Sequence, residues 1–262
     1  MGNAQTETQT HTVSGNIDVV ITRNGRHQYK YHKEYTSSRG RTEESPWYPS
    51  VTTIANYIGG DSFSVGMNWA LAKARENDKD LDAPRRLSAQ ATEEGTQLHA
   101  DIEQFIKNPN SMPSEENDLF MLWHRELGNH RWLASEQFII NPDGGYGGTI
   151  DAMSLEPDGF TIWDWKTRER SSFEKNGGYA KDPVQLTAYA QALHAMGHPL
   201  APVKGFIAYI MRDGGSIDIR PVDISADSKS NKLFHVARDM YYIMRSKDTE
   251  IDTEPKDTEI EN

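Results

Sequence analysis

The stretch that most constrains the fold runs over residues 147–167 and reads GGTIDAMSLEPDGFTIWDWKT. Its composition predicts two β-strands, 148–155 and 160–167, because both segments are rich in β-branched and aromatic residues. The residues between them, Glu-Pro-Asp-Gly at 156–159, are typical of a tight turn, since proline fixes φ and glycine accepts a positive φ. The stretch is therefore predicted to be a β-hairpin.

Two acids and a lysine occupy this predicted hairpin. If the turn closes the hairpin without a bulge, Asp151 lies opposite Asp164 on the neighbouring strand, with Cβ atoms roughly 5 Å apart. A one-residue bulge would change this register. Lys166 lies two residues beyond Asp164 and shares its face, whereas Trp163 and Trp165 point to the other face, where they can be buried.

Directly opposed carboxylates need a neutralising partner, because like charges across a sheet repel. A hard divalent cation such as Mg²⁺ or Mn²⁺ would serve, since it binds carboxylate oxygens and keeps several waters. An isolated D-x-K is more often a surface hairpin with an Asp–Lys pair. Here the apolar strand around the acids and the rest of the chain favour the metal site.

Composition excludes several classes of protein. The 262 residues suffice for one domain or a small two-domain protein. No apolar run is long enough to span a membrane, and no signal segment opens the chain, so we expect a cytoplasmic protein. The absence of cysteine excludes disulfides, zinc–thiolate sites and Fe–S clusters.

The net charge of −11 is unevenly distributed. Residues 248–262 hold seven acids and one lysine, which predicts a disordered acidic tail. Residues 22–41 hold six basic residues against one acid. This basic arm could meet nucleic-acid phosphates, with Arg23, Arg26 and Lys30 as candidate substrate contacts.

The N-terminal part predicts a small hairpin. Residues 1–16 are polar and are predicted to be disordered. Residues 17–35 alternate around Asn24-Gly25, a strong hairpin signal. This hairpin could be a nucleic-acid contact surface or an ordinary capping hairpin. The aromatic residues of this part could stack on bases or belong to the core; they are Tyr29, Tyr31, Trp47 and Tyr48.

Helical patterns dominate the next segment. Ser50 is a predicted cap, and helices are predicted over 51–58, 65–78, 86–107 and 118–131. His99 shares a face with Ile102 and Ile106, so it points inward, as a core residue or as a ligand. Gly95, in the interior of the same helix, indicates that another backbone or a substrate comes close.

The remaining segments surround the hairpin. A strand over 133–141 carries Glu136, and residues 168–181 form a predicted polar loop beside the site. Asp182-Pro183 is typical of a helix start, and Gln185 and Tyr189 share one face of that helix. The patterns then predict strands over 203–212 and 216–222 and a helix over 226–246.

The order of these motifs resembles the RecB-like branch of the PD-(D/E)xK nucleases. The matching elements are G-x-x-x-H ending at His99, the strand residue Glu136, G-G-T-I-D, D-W-K-T and Q-L-T-A-Y, and Pro49-Ser50-Val51-Thr52 resembles the family's opening helix. Within that branch the chain is most similar to single-strand exonucleases of the mitochondrial genome maintenance type and their phage relatives. The resemblance covers Pro49 to about Arg220, and five motifs in order are far more specific than D-x-K alone.

The resemblance implies an α/β restriction-endonuclease-like core, a mixed sheet flanked by helices, preceded by the N-terminal β-hairpin and a helical region. We expect one nuclease domain over 17–246, composed of the basic hairpin and loop (17–48), the helical part (49–131) and the catalytic core (132–246). Residues 1–16 and 247–262 are the predicted disordered ends.

The resemblance also assigns roles. His99, Asp151, Asp164 and the backbone carbonyl of Trp165 would ligate Mg²⁺ or Mn²⁺, and Lys166 would orient or help deprotonate the attacking water. Glu136 would be an auxiliary acid. Gln185 and Tyr189 would hold the lysine-bearing segment and the scissile phosphate, and Thr167 of the same motif would contact substrate.

The implied function is a metal-dependent DNA exonuclease that acts on single strands or ends, in replication, recombination or repair in a bacterial or phage-infected cell. The alternatives are a structure-specific endonuclease, a double-strand end-resecting exonuclease and a catalytically silent DNA-binding relative. The missing cysteines place the chain with the cluster-free nucleases, and the missing Walker A sequence excludes a helicase motor from it.

Overall fold

The computed structural model describes residues 6–13, 17–35, 42–58, 62–113, 117–198, 202–213 and 215–246. The strands are β1 (Glu7–Val13), β2 (Ile17–Arg23), β3 (Tyr29–Tyr35), β4 (Thr42–Glu44), β5 (Trp132–Asn141), β6 (Tyr146–Glu156), β7 (Gly159–Arg168), β8 (Lys204–Met211) and β9 (Ile217–Val222). The helices are α1 (Val51–Ala55), α2 (Ser62–Glu76), α3 (Ala83–Lys107), α4 (Asp118–Leu127), α5 (Arg170–Asn176), α6 (Lys181–Ala195) and α7 (Lys229–Ile243).

The central element is a five-stranded mixed sheet in the order β5-β6-β7-β8-β9. Neighbouring strands are antiparallel except β7 and β8, which are parallel. The connection between those two strands contains α5 and α6, as a parallel pair requires a long crossover. The sheet is flanked by helices, which confirms the predicted fold class. Among the described helices, none is long and apolar enough to cross a membrane.

The hairpin of β6 and β7 has the predicted register. Glu156 pairs with Gly159, and the pairing continues to Ala152 opposite Trp163. Gly159 has φ of 135°, which explains the need for glycine there. The next position along would pair Asp151 with Asp164, and it lies just beyond the end of the ladder.

The two faces of the sheet bury different side chains. One face packs against α3 and α4 through aromatic residues that include Phe105, Phe120, Trp123, Trp163 and Trp165. The other face packs against α1, α6 and α7 through mostly aliphatic residues and tyrosines. As predicted, Trp163 and Trp165 share the first face.

An additional four-stranded sheet, in the order β1-β2-β3-β4, precedes the central sheet. The predicted disorder of residues 1–16 is wrong for Glu7–Val13, which forms β1 and pairs with β2 along its whole length. A threonine-rich segment has low hydrophobicity, yet it forms a strand when a neighbouring strand supplies the backbone hydrogen-bond partners. This sheet packs on β5 through a small core of Val19, Ile21, Tyr29, Tyr31, Phe138 and Ile140.

The β2–β3 hairpin is also confirmed, but its loop is longer than Asn24-Gly25 alone. The loop covers residues 24–28, and Asn24 Oδ1 accepts hydrogen bonds from the backbone N–H groups of Arg26 and Gln28. Two aromatic residues of this sheet, Tyr29 and Tyr31, are buried, so they cannot stack on bases.

Three helix predictions need correction. Residues 170–176 of the predicted loop form α5, and α4 ends at Leu127 rather than at residue 131. Helix α6 begins at Lys181 with Ala180 as its N-cap, so Asp182 is not the cap. Ser50 does cap α1, because its Oγ accepts from the Thr53 N–H. The acidic tail over 247–262 lies outside the described residues.

Candidate active site

Strand β7 places an ion pair at the edge of a cleft. Asp164 is fully buried, its Oδ1 lies 2.8 Å from Lys166 Nζ, and its Oδ2 lies 2.6 Å from the same nitrogen. Burial, with the nearby Asp151 charge, raises the pKa of Asp164 to about 7 even though Lys166 opposes the shift. Burial alone would lower the pKa of Lys166, but the surrounding carboxylates outweigh it and raise that pKa. Lys166 is therefore an ammonium group.

Asp151 lies where strand β6 changes its side-chain alternation. Ile150 and Met153 pack in the same apolar cluster, although regular alternation would place them on opposite faces. At this irregularity Asp151 Oδ2 accepts the Trp165 N–H at 2.7 Å, so the carboxylate replaces a ladder partner. Burial raises the pKa of Asp151, and the Glu136 charge adds to the effect against His99 and Lys166.

Glu136 reaches the site from β5 through an unusual backbone conformation. Its φ is +50°, a left-handed value that glutamate rarely adopts. Strand β5 has an irregular register between Trp132 and Ala134, just before this residue. The kink brings Glu136 Oε1 to 3.7 Å from His99 Nδ1, and Asp151 Oδ1 lies 3.8 Å from the same nitrogen.

His99 is delivered by α3 and points inward, as its position in the sequence predicts. Its Nε2 lies 3.3 Å from the Trp165 carbonyl oxygen, so Nδ1 faces the two carboxylates. Burial alone would lower the pKa of His99, but Asp151 and Glu136 outweigh burial and raise it to about 9. Cation binding through Nδ1 would have to displace a proton at neutral pH.

One imidazole and two carboxylates form a cluster that fits a divalent cation. The ligand atoms of His99, Glu136 and Asp151 all lie within 4.8 Å of one another. Two carboxylates with one nitrogen donor suit a hard cation such as Mg²⁺ or Mn²⁺, and the buried negative charge favours binding. These three residues would hold the ion, which when bound would screen phosphate charge and lower the pKa of a coordinated water.

This cluster differs in membership from the predicted ligand set. Glu136, predicted as an auxiliary acid, belongs to it, whereas Asp164 contacts Lys166 with both oxygens and lies outside it among the described residues. The predicted ligand carbonyl of Trp165 lies against His99 Nε2. The roles of Asp164 and of this carbonyl as ligands stay predictions.

A cleft of about 520 Å³ opens beside these groups, between α3 and the end of β7. Its lining includes Thr96, His99, Glu136, Lys166 and Thr167. At Gly95 helix α3 comes close to β7, because a Cβ built there would lie 3.3 Å from Thr167 Oγ1. The glycine in the helix interior is thus explained by the backbone of α3 passing close to β7.

Gln185 and Tyr189 lie on α6, on the other face of the sheet. Gln185 Nε2 donates to Tyr189 Oη at 2.6 Å and to Thr52 Oγ1 at 3.0 Å, which ties α6 to α1. Tyr189 is buried, and the charges of Asp164 and Asp151 add to burial in raising its pKa. The charges of the two aspartates thus reach Tyr189, and Gln185 links Tyr189 to α1. The roles of both residues at the lysine-bearing segment and the phosphate stay predictions.

The family of the chain is identified by its match to a family model. A family model of the PD-(D/E)XK nuclease superfamily matches residues 69–258. The chain belongs to this superfamily. No curated protein matches the chain. A solved structure described as "Crystal structure of SSO0001" is similar at 16% identity and a TM-score of 0.39, with 75% of this chain and 76% of that chain covered.

The predicted basic contacts of this PD-(D/E)XK nuclease are partly engaged within the protein. Arg23 pairs with Glu7 at 2.5 Å, donates to Thr149 Oγ1 at 3.4 Å and lies over the Phe138 ring. Lys30 pairs with Glu44. Arg26 is exposed at the tip of the hairpin. Their contact with substrate stays a prediction.

Sequence reasoning did not single out Arg168 and Asp182. Asp182 is buried, and its Oδ2 accepts hydrogen bonds from Arg168 Nη2 at 3.0 Å and from Tyr209 Oη at 3.1 Å. Arg168 lines the cleft two residues beyond Lys166, and its guanidinium lies 4.6 Å from the centre of the exposed Tyr179 ring. Asp182 precedes a proline, a pattern typical of a helix start, and this local signal does not indicate its contacts with Arg168 and Tyr209.

Proposed function

We propose that this chain is a Mg²⁺- or Mn²⁺-dependent DNA exonuclease of the RecB-like type that acts on single strands or DNA ends. The observation that carries the proposal is the cluster of His99, Glu136 and Asp151 beside the Asp164–Lys166 pair, with His99, Glu136 and Lys166 lining one cleft. These groups are the complete acid–lysine set of a PD-(D/E)XK nuclease, which argues against a catalytically silent relative.

The residue chemistry supports hydrolysis by water. Asp151 and Glu136, with His99, would hold the cation that activates water and screens the phosphate. Lys166 is an ammonium group, so it can donate hydrogen bonds to the attacking water or to a phosphate oxygen. Water attacks phosphorus in line, the bond to the 3′ oxygen breaks, and the product carries a 5′-phosphate. No serine or cysteine nucleophile is required.

The preference for a single strand rests on the resemblance of the motifs to RecB-like exonucleases. Helix α3 and strand β7 come close at Gly95 and Thr167, so substrate would reach Lys166 from the open side of the cleft. A single strand can present one phosphate to Lys166 from the open side, with Arg168 and Thr167 on the cleft wall. Roles in replication, recombination or repair and a cytoplasmic location stay predictions.

The deciding experiment compares linear and covalently closed single-stranded DNA of the same sequence, with Mg²⁺, with Mn²⁺ and with EDTA. We expect degradation of the linear strand with either cation, none with EDTA and none of the closed circle. Cleavage of circles would favour an endonuclease, and preference for blunt duplex ends would favour an end-resecting enzyme. No hydrolysis of any substrate would favour a silent binder.

A further inference from the structure

Strand β5 is an edge strand of the central sheet, and its outer edge lies beside the metal-ligand cluster. Gln137 pairs inward with Ile150 of β6, so the backbone groups of Glu136 and Phe138 point outward. Edge groups of this kind need partners, and here one of them belongs to the residue with φ of +50°. Whatever binds this edge therefore fixes the orientation of Glu136.

The partner is a single side chain of the additional sheet. Gln9 on β1 donates from Nε2 to the Glu136 carbonyl oxygen at 2.7 Å and accepts at Oε1 from the Phe138 N–H at 2.7 Å. The two contacts span 127 and 129 positions of sequence. The Gln9 amide thus occupies the place that a peptide group of a neighbouring strand would take.

We propose that Gln9 is a positioning residue for the metal site: its amide holds the kinked backbone at Glu136 and thereby aims the Glu136 carboxylate at His99 and Asp151. The inference rests on the proposed function, since it assigns Glu136 to a bound cation. Gln9 belongs neither to the ligand cluster nor to the lining of the cleft, so it would act only through Glu136.

Only an amide of this length can make both contacts, because one group must donate to a carbonyl while the other accepts from an N–H. A carboxylate at position 9 would keep the acceptor for Phe138 but would repel the Glu136 carbonyl. An apolar side chain would make neither bond. Leaving the left-handed conformation of Glu136 without support lets it relax, because glutamate disfavours a positive φ.

Neighbouring contacts hold the Gln9 clamp in place, that is, the Gln9 amide with its two hydrogen bonds to the backbone of β5. Gln137 Nε2 lies 3.3 Å from Gln9 Oε1 and 3.1 Å from His11 Nδ1, so two residues of β1 contact it. Tyr29 shares a hydrogen bond of 2.9 Å with Thr149 Oγ1, two residues before Asp151. The additional sheet therefore meets both strands that carry the metal-ligand carboxylates.

The test measures Mn²⁺ binding to the full-length, DNA-free protein by electron paramagnetic resonance. The variants are Gln9→Met, which keeps the shape without the amide, Gln9→Glu, which keeps only the acceptor, and Asp151→Asn, which removes a ligand. Thr8→Val is the matched control, because Thr8 is adjacent on β1 and exposed, and its hydroxyl contacts only Thr22 among the hydrogen bonds described. Circular dichroism and thermal unfolding in EDTA establish that each variant is folded.

We expect Gln9→Met to weaken Mn²⁺ affinity by about 10-fold or more, the range typical of residues that orient a metal ligand. Gln9→Glu should be weakened as well, and Thr8→Val should match the wild type. In nuclease assays the Gln9 variants should need more Mn²⁺ for half-maximal rate while kcat at saturating Mn²⁺ stays within about threefold. If Gln9→Met does not fold, Gln9→Glu carries the comparison.

Wild-type Mn²⁺ affinity in both Gln9 variants would overturn the clamp, provided that Asp151→Asn weakens binding. If the wild-type protein binds no Mn²⁺, or if Asp151→Asn leaves binding unchanged, the metal site of the proposed function fails and the clamp fails with it. A loss of kcat without a change in Mn²⁺ affinity would also overturn the clamp, because it would place Gln9 in a later step.

Discussion

The two faces of strand β7 use alternate residues of one short segment for different purposes. Trp163 and Trp165 point into an aromatic cluster with Trp123 and Phe120, and they contribute packing. Asp164 and Lys166 point to the opposite side, where burial raises the pKa of Asp164 and the surrounding carboxylates raise the pKa of Lys166 against burial. One face gains stability from burial, whereas the other gives up stability to hold groups in a chemically useful state.

This difference predicts that substitutions on the two faces separate activity from stability. The charged face is expected to tolerate a neutral replacement of Asp164, because a buried carboxylate with a raised pKa already opposes folding at neutral pH. The aromatic face is expected to tolerate few replacements, because close-packed side chains leave cavities when they are shortened.

The largest expected effect is on turnover. Asp164→Asn and Lys166→Ala should each lower kcat by at least about a thousandfold, because an orienting or proton-transferring group is lost from the cleft. The free energy of unfolding should change little in Asp164→Asn, whose amide oxygen can still accept from Lys166, and it should fall in Lys166→Ala, which leaves the buried carboxylate unpaired. Thr161→Val is the matched control on the same strand: its hydroxyl is buried with no hydrogen bond among the described residues, so activity should be kept. Steady-state kinetics and urea unfolding measure both quantities, and full activity in Asp164→Asn or Lys166→Ala would remove the site assignment.

The aromatic face should show the reverse pattern. Trp165→Ala should lower the free energy of unfolding by about 3–5 kcal/mol, the range for deleting a large buried side chain. Because the site uses only the backbone N–H and carbonyl of Trp165, the folded fraction should keep kcat within about tenfold at low temperature. The free energy of unfolding of Trp165→Phe should lie between those of the wild type and Trp165→Ala. A loss of stability below about 1 kcal/mol would show that this face is loosely packed.

A smaller effect is expected where the additional sheet meets β5. Burial, together with nearby His198, lowers the pKa of His11 to about 4. The unfolded chain, with a pKa near 6.5, binds the proton more readily, so stability is complete above that value and is lost as the pH falls toward 4. The loss attributable to His11 is about 2 kcal/mol at a pH of about 5. Urea unfolding of the wild type and of His11→Gln at about pH 7.5 and 5 isolates the contribution of His11 to this loss of stability. An equal loss of stability in the two proteins would show that His11 is not its source.

The smallest effect is expected from the acidic end. Removing residues 248–262 takes away seven acids and one lysine and no residue of the described site. We expect kcat and the free energy of unfolding to stay at their wild-type values. The lost negative charge should appear instead as a different salt dependence of DNA binding in the truncated protein, since that charge repels phosphates. Loss of hydrolysis on truncation would show that the end takes part in the site.

The local features of the site were predictable because local chemistry determines them. The Glu156–Gly159 turn fixes the register, and alternation then separates Trp163 and Trp165 from Asp164 and Lys166. The irregularity near Asp151 was not predictable, because it depends on the carboxylate taking the Trp165 N–H. Helix α5 was missed for a similar reason: a polar, glycine-ended segment is helical here through its packing by Phe173.

The contacts between distant segments lay beyond sequence reasoning. A glutamate inside an apolar strand gives no sign that its φ is positive, and Gln9 lies in a segment whose composition indicates disorder. The same holds for Asp182 on α6, whose local pattern indicates a helix cap while its partners Arg168 and Tyr209 come from strands β7 and β8. Such contacts depend on tertiary packing, which overrides local propensity.

The position of β1 has a practical consequence for how the molecule should be divided. The recognisable nuclease region begins at residue 69, far downstream of Gln9 and of the whole additional sheet. A fragment trimmed to that region would leave an edge strand bare, and bare edges attract other chains. A shortened protein should therefore associate with itself and bind Mn²⁺ more weakly, even though every motif residue from Gly95 onward is still present.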